Sequence, residues 1–288
     1  MKSVPITYFR YRPAAWLRMT GADAETFLQG QFTNDLRNKT PLTGVYGLFL
    51  NQKGKTIADG FVMTGSGSDE FLIGSYFCPA ANLLKRLGDF IVADEVEIED
   101  LTSGVAGISL MGDGAGEWLG SSPREGSVFH GRRSGGESWE WVLPENRAGA
   151  AAALLAGARE FDALGMEQVR IAAGIAAVPQ DIGPGDLPNE GGLESVAISY
   201  DKGCYLGQEI MARLKTRGRL RRSLMRVKGN GPAPVPPAPL WQAGRLAGQL
   251  RSAVPGPGGF LGLALMNLDG LGGADPSHFL KREAPRSS

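Results

Sequence analysis

The sequence predicts an α+β fold, with helices and strands mixed along the chain. Three observations carry this expectation. Strand-like and helix-like patterns follow one another from residue 20 to residue 175 without a regular βαβ repeat. The glycine-rich stretches "GDGAG" (112–116) and "GPGGFLG" (256–262) both miss the G-x-G-x-x-G spacing of a doubly wound dinucleotide fold. The proline-rich "GPAPVPPAP" (231–239) is a stiff, extended connector that cannot lie in a central strand, and the short strand-like segments around it suggest a small terminal β-barrel.

In chain order, "TGADAETFLQGQFTNDL" (20–36) reads as a helix. Thr20 and Asp23 resemble a capping pair, and Phe27, Leu28 and Phe32 share one apolar side. Next comes a hairpin: Leu48–Leu50 form one arm, "NQKG" turns the chain, and Thr56–Met63 return. A strand at "EFLIGS", a helix at "PAANLLKRLG" and an alternating strand at "DEVEIEDL" follow. "VAGISLMG" reads as a strand, "GAGEWLG" as a short helix and "SWEWVLP" (138–144) as a strand. Alanine-rich 147–161 predicts one helix, and 166–175 another that ends at Gly174. The stretch after Ile175 is dense in Pro, Gly, Asp and Asn, the composition of a long surface loop that carries binding residues. The last strands are expected in "SLMRVKG", "AGRLAGQLRSA" and "FLGLALMN".

Composition narrows the function. The 288 residues are 42% apolar and 21% charged with zero formal charge, so a soluble globular protein is expected and nothing global favours nucleic acid or membrane. The N-terminus lacks the apolar stretch of a signal peptide, and no window approaches a membrane span; the expected location is cytoplasmic. Two cysteines (Cys78, Cys204) and two histidines (His130, His278), all far apart, form no C-x-x-C or H-E-x-x-H cluster. No metal site is therefore expected from the chain alone, and no G-x-S-x-G elbow signals a serine hydrolase.

Three features could carry chemistry. Cys204, in "DKGCYLGQEI", precedes a helix expected to open at Gly207. A helix N-terminus favours thiolate, and Lys202 would add to this if its ammonium turned inward. An inert thiol in a tight turn is the alternative. The run 213–228 holds eight basic residues and no acidic one. Arg213, Lys215, Arg217, Arg219 and Arg221 alternate, so an extended chain would line all five along one side, to face a polyanion or simply solvent. Without interleaved aromatics the RNA version is weak. Finally, Asp59 ends the outgoing half of the hairpin and Glu190 lies in the polar loop. Each is solvent-facing by default, although a carboxylate is the natural partner of an N–C–NH₂ edge.

Together these segments resemble one family. "KGCYLGQE" (202–209) matches the signature of the YgfZ family of folate-binding proteins. "GADAETFLQGQFTNDL", "FLNQKGKTIADGFVM" and "RIAAGIAAVPQDIG…LPNEGGLESVAISYDKGCY" resemble its other blocks in the right order, as do "KTRGRLRRSL", "AGRLAGQLRSA" and "GLALM". The family is related to the aminomethyltransferase (T-protein) of the glycine cleavage system. The resemblance places Asp59 at that enzyme's second motif aspartate, with Ala58 replacing the first, and Glu190 at its pteridine glutamate. The segment from about 112 to 147 matches no block of the family.

What the resemblance implies is a ferredoxin-like, T-protein-like body of two interleaved lobes around a central cavity (1–222) and a reduced β-barrel (223–288). It implies tetrahydrofolate or a derivative as ligand and iron–sulfur client or assembly proteins as partners, with a link to tRNA modification. Cys204 and Asp59 would be the reacting positions. Glu190, Asn189, Lys202, Tyr205, Gln208, Glu209 and Arg217 would be the folate-binding ones. The alternatives are an aminomethyltransferase-type enzyme and an RNA-binding module.

Overall fold

The computed structural model describes residues 6–37, 44–67, 69–121, 125–242 and 244–270, with Arg217 and Gly270 described by backbone only. Two strands the sequence reading does not assign, β1 (Thr7–Tyr11) and β2 (Ala15–Thr20), open the chain and join different sheets. β2 lies in an antiparallel sheet with β3 (Val45–Leu50), β4 (Thr56–Thr64), β5 (Glu70–Ser75) and β6 (Glu97–Asp100), in the order β3-β4-β5-β2-β6. Helices α1 (Ala24–Gln31) and α2 (Ala80–Gly88) cover one face, burying Phe27, Leu28, Leu83 and Leu87 against Leu17, Met19, Val62 and Ile73.

The helix expected over 20–36 is shorter for a clear reason. Phe32 turns extended and bridges Phe49; then Thr33 donates its N–H to the Leu48 carbonyl and accepts the Leu48 N–H on Oγ1. Pairing with the neighbouring strand satisfies backbone groups that another helical turn would otherwise satisfy.

β1 belongs to the second sheet, with β7 (Val105–Met111), β8 (Ser127–His130), β9 (Ser138–Pro144) and β10 (Arg159–Glu160), in the order β10-β1-β7-β9-β8. β8 falls in the glycine-rich stretch that the sequence left unplaced. α3 (Ala115–Gly120) and α4 (Ala148–Ala153) cover its outer face. The helix expected over 147–161 stops at Ala153: Gly157 takes φ +95°, and the chain runs on to β10, where Glu160 accepts from Arg10 and Tyr8. The inner faces of the two sheets meet through Trp16, Tyr46 and Phe61 on one side and Phe129 and Val142 on the other. This exchange of β1 and β2 is what interleaves the lobes.

α5 (Ala163–Ala173) is capped by the Asp162 carboxylate, which accepts the Gly165 N–H, and ends at Gly174 with φ +72°. A long loop containing α6 (Glu194–Ala197) leads to α7 (Gln208–Arg217). Four final strands, β11 (Arg222–Asn230), β12 (Ala238–Gln242), β13 (Arg245–Gly256) and β14 (Gly259–Asn267), form an antiparallel sheet ordered β11-β14-β13-β12. β12 takes the end of the proline stretch and lies at the sheet edge, where a missing N–H is tolerated. The small terminal barrel expected from the sequence is, among the described residues, this four-stranded sheet. Buried Arg170 ties it to the body, donating to Asp181 at 2.6 Å and to Ser252 at 2.9 Å. Buried charges of this kind persist because they are paired. Among the described residues no helix is long and apolar enough to cross a membrane.

Candidate functional site

The loop carrying Cys204 is held from both ends. Lys202, 6% exposed, extends its ammonium to three carbonyls at the end of α1: Gln29 at 2.8 Å, Phe32 at 2.6 Å and Asn34 at 2.9 Å. The Gln29 carbonyl is one that a helix terminus leaves without an intrahelical partner, and the other two lie in the chain just beyond the helix. Burial pulls the ammonium down to about 8, while three acceptors favour its protonated form. The Leu206 N–H reaches the Gly30 carbonyl, and Gly207, at φ +87°, packs so tightly on the hairpin turn that a Cβ there would lie 2.9 Å from the Asn51 carbonyl oxygen. Between these anchors Cys204 is exposed and free. Cys78, by contrast, is buried, and burial pushes its thiol up to about 12.

The condition under which Lys202 would favour the thiolate is therefore not met. Its charge is spent on the backbone, because an ammonium buried this deeply needs acceptors and the end of α1 supplies them. Tyr205 is buried under Lys202, whose Nζ lies 5.4 Å from the ring centroid, and its hydroxyl has no hydrogen-bond partner among the described residues. Gln208 begins α7 half-buried, Glu209 is exposed, and the Arg217 side chain lies outside the described residues.

Asp59 occupies a different place, on the inner face of β4 between the lobes. It is 4% exposed and accepts from the Tyr46 hydroxyl at 2.9 Å and from Ser75 Oγ at 3.0 Å. Burial raises its carboxyl to about 6, with Tyr46, Ser75 and the charge of Arg132 working against it. The space beside it is only about 10 Å³, walled by Tyr46, Tyr76, Arg132 and Arg133. Arg132 lies over the Tyr46 ring at 4.1 Å and Arg133 over Tyr76 at 3.7 Å. Buried Glu140 stands 3.9 Å from Arg133 and accepts from Tyr76 and Ser109, each at 2.7 Å.

Glu190 forms a third centre. One oxygen accepts the Leu187 N–H at 2.7 Å, closing a short 3₁₀ turn, and both oxygens take the guanidinium of Arg222 at 2.9 Å. Such a forked pair is among the stronger ionic contacts. Neighbouring Asn189 donates to Glu194 and leaves a buried Oδ1 unpartnered among the described residues. Glu194 also accepts from Tyr200 and its charge acts on Tyr205, so Asn189 and Tyr205 share one neighbourhood.

Among the described residues the basic run forms no single stripe. Residues 213, 215 and 217 lie on helix α7, where alternate positions diverge, and the strand starts only at Arg222. Arg222 is engaged with Glu190 and Asp186, and Arg226 with the Ala172 carbonyl. Lys215 stacks over Tyr200 at 3.9 Å.

Comparison with known proteins fits this architecture. Residues 12–125 match the GCVT N-terminal domain, and residues 221–279 match the C-terminal beta-barrel domain of CAF17. The mouse iron-sulfur cluster assembly factor IBA57, mitochondrial, is 29% identical over 300 residues, with 96% of this chain and 82% of that protein covered. The tRNA-modifying protein YgfZ of Escherichia coli is 27% identical over 243 residues, with 79% and 73% covered. The chain is similar over most of its length to proteins of the YgfZ family. The glycine cleavage system aminomethyltransferase T from Bartonella henselae superposes with a TM-score of 0.73 over 92% of this chain and 79% of that one; at 16% identity this concerns the fold, which is T-protein-like.

The folate position that this similarity implies can be tested against the residues present, and they do not fit. The space at Asp59 is about 10 Å³, room for roughly one water. Glu190, whose edge would grip a pterin, is closed by Arg222 and Leu187. Asp59 lines this small space, and Glu190 lines neither it nor the cleft of about 700 Å³ beside α2. Sequence reasoning missed Arg132 and Arg133, which lie in the glycine-rich segment without a family counterpart, and it missed Arg222 as the partner of Glu190. Only the surplus of arginines in those segments hinted at either.

Proposed function

We propose that the chain is an auxiliary protein for iron–sulfur enzymes that works by presenting the Cys204 thiol to a partner. The carrying observation is the exposed free thiol on a loop clamped by Lys202 and Gly207. A cysteine that only fills space is buried, as Cys78 is. The printed names of the mouse and E. coli relatives, an iron–sulfur cluster assembly factor and a tRNA-modifying protein, support the reading. Among the described residues no group of three His, Cys, Asp or Glu side chains could hold a metal ion. Cys204 therefore supplies one ligand or one nucleophile, and the partner supplies the rest. The setting proposed is the cytoplasm, with iron–sulfur client or assembly proteins as partners.

The test is rescue of iron–sulfur enzyme activity in a strain lacking the protein. Wild type is expected to restore it and Cys204→Ala to fail at equal expression; equal rescue overturns the proposal. Folate-dependent one-carbon transfer is the weaker reading, because Asp59 has no room beside it for a substrate. A reduced folate enters only where Arg132 and Arg222 give up their present contacts. Titration calorimetry with 5-formyl-tetrahydrofolate should thus give heat for the double variant Arg132→Ala with Arg222→Ala at concentrations where wild type gives none, and equal heat from both refutes the blocked site.

A further inference from the structure

A cleft of about 700 Å³ lies between α2, the turn of the β3–β4 hairpin and the loop after α5. Its lining includes Lys53, Ile57, Asn82, Arg86, Phe90 and Pro179. Neither Asp59, Glu190 nor Cys204 borders it. Its size is that of a pocket for a small organic molecule, and its apolar wall (Ile57, Phe90, Pro179) suits a flat ring.

The polar side of the cleft is cationic. Lys85 is paired with Asp89 at 2.8 Å, which leaves Lys53 and Arg86 as the uncompensated charges. Lys53 is exposed and has no ion-pair partner among the described residues. Arg86 is 6% exposed, yet it is bonded to no carboxylate, and Asp89, paired with Lys85, acts on it only through its charge: Nε donates to the Leu50 carbonyl at 2.8 Å and Nη1 to Gln31 at 2.9 Å. Its Nη2 is buried and unbonded among the described residues, with the ring of half-buried Phe90 lying 4.6 Å from the guanidinium carbon. A buried guanidinium with no bonded counter-ion and incomplete hydrogen bonding is unusual, since such groups are normally paired. Desolvation accordingly pulls its pKa down to about 10.

We infer that this cleft is a binding site for a small aromatic or heterocyclic oxyanion, its carboxylate or phosphate taken by Arg86 and Lys53 and its ring by Phe90, Ile57 and Pro179. Phe90 is the side chain that shifts to admit the anion to Nη2. The site is independent of the role proposed for Cys204.

The test is titration of the full-length chain, followed by ¹⁵N-edited NMR, with two probes: 4-aminobenzoyl-glutamate for the carboxylate and phenyl phosphate for the phosphate. At least one probe should shift the Asn82 and Gln52 signals, and the stronger names the oxyanion. Lys53→Glu should weaken that probe roughly tenfold, the effect of losing one charge-assisted contact. Arg86→Lys should do likewise; should it fail to fold, the exposed Lys53 substitution carries the test alone. Shifts confined to the surroundings of Glu190 or Asp59, no shift with either probe, or affinity unchanged by Lys53→Glu overturns the inference. Rescue by the Lys53→Glu variant in the iron–sulfur assay reads the Cys204 proposal separately.

Discussion

Replacing Lys202 by methionine keeps most of the side-chain length and removes the ammonium that three carbonyls share. The Phe32 carbonyl bond is fully buried, while those of Gln29 and Asn34 are partly so. Leaving a buried carbonyl without a donor costs about 2 kcal/mol, and a carbonyl that water can still reach loses about 0.5 kcal/mol. The expected destabilisation is therefore about 3 kcal/mol. Urea denaturation reads this as a lower midpoint at unchanged slope. Because Lys202 anchors one end of the Cys204 loop, exchange of the Leu206 amide, bonded to the Gly30 carbonyl, should also speed up. A loss below about 1 kcal/mol, the scale of one ordinary hydrogen bond, with Leu206 protection intact, would show that the clamp does not hold the loop.

Three further outcomes follow from the same geometry. Gly207→Ala forces a Cβ onto a backbone at φ +87° and within 2.9 Å of the Asn51 carbonyl oxygen, so a loss of about 2 kcal/mol is expected by the same denaturation. Asp59 has its folded-state carboxyl raised from 3.8 to about 6, so the folded state holds its proton over that window while the unfolded state releases it. Wild-type stability should accordingly fall relative to Asp59→Asn as pH rises from about 4 to about 6, by about 3 kcal/mol, and a difference independent of pH would contradict it. Arg222→Gln removes the forked partner of buried Glu190 and should destabilise by about 3 kcal/mol, read by thermal melting; Arg222→Lys should recover only part, since one ammonium cannot repeat two parallel bonds.

Local patterning determined much of this protein. The hairpin of β3 and β4, the strands at 70–75, 105–111 and 138–144, and helices α2, α3 and α5 are legible because period and boundary residues agree with one another. The signature around Cys204, with the blocks before it, was enough to name the family. What remained illegible depends on distant partners. β1 and β2 are too short and mixed to read as strands, and they form because edges contributed from residues 70–75, 97–100 and 105–111 receive them. The helices expected over 20–36 and 147–161 end early where Thr33 and Glu160 find partners on neighbouring strands.

The candidate site divides in the same way. Sequence alone singled out Cys204, Asp59 and Glu190. Only the tertiary structure decided that the thiol is exposed and both carboxylates are engaged, Asp59 with Tyr46 and Ser75 and Glu190 with Arg222. The physical reason is that a residue's chemistry is set by what its burial obliges it to bond. Lys202 caps a helix 170 residues away from it in sequence, as counted to Phe32, and Arg222 closes Glu190 across 32 residues. Arg132 fills the space beside Asp59 from a segment with no signature of its own. Motif spacing selects the residues, and long-range packing assigns them their partners.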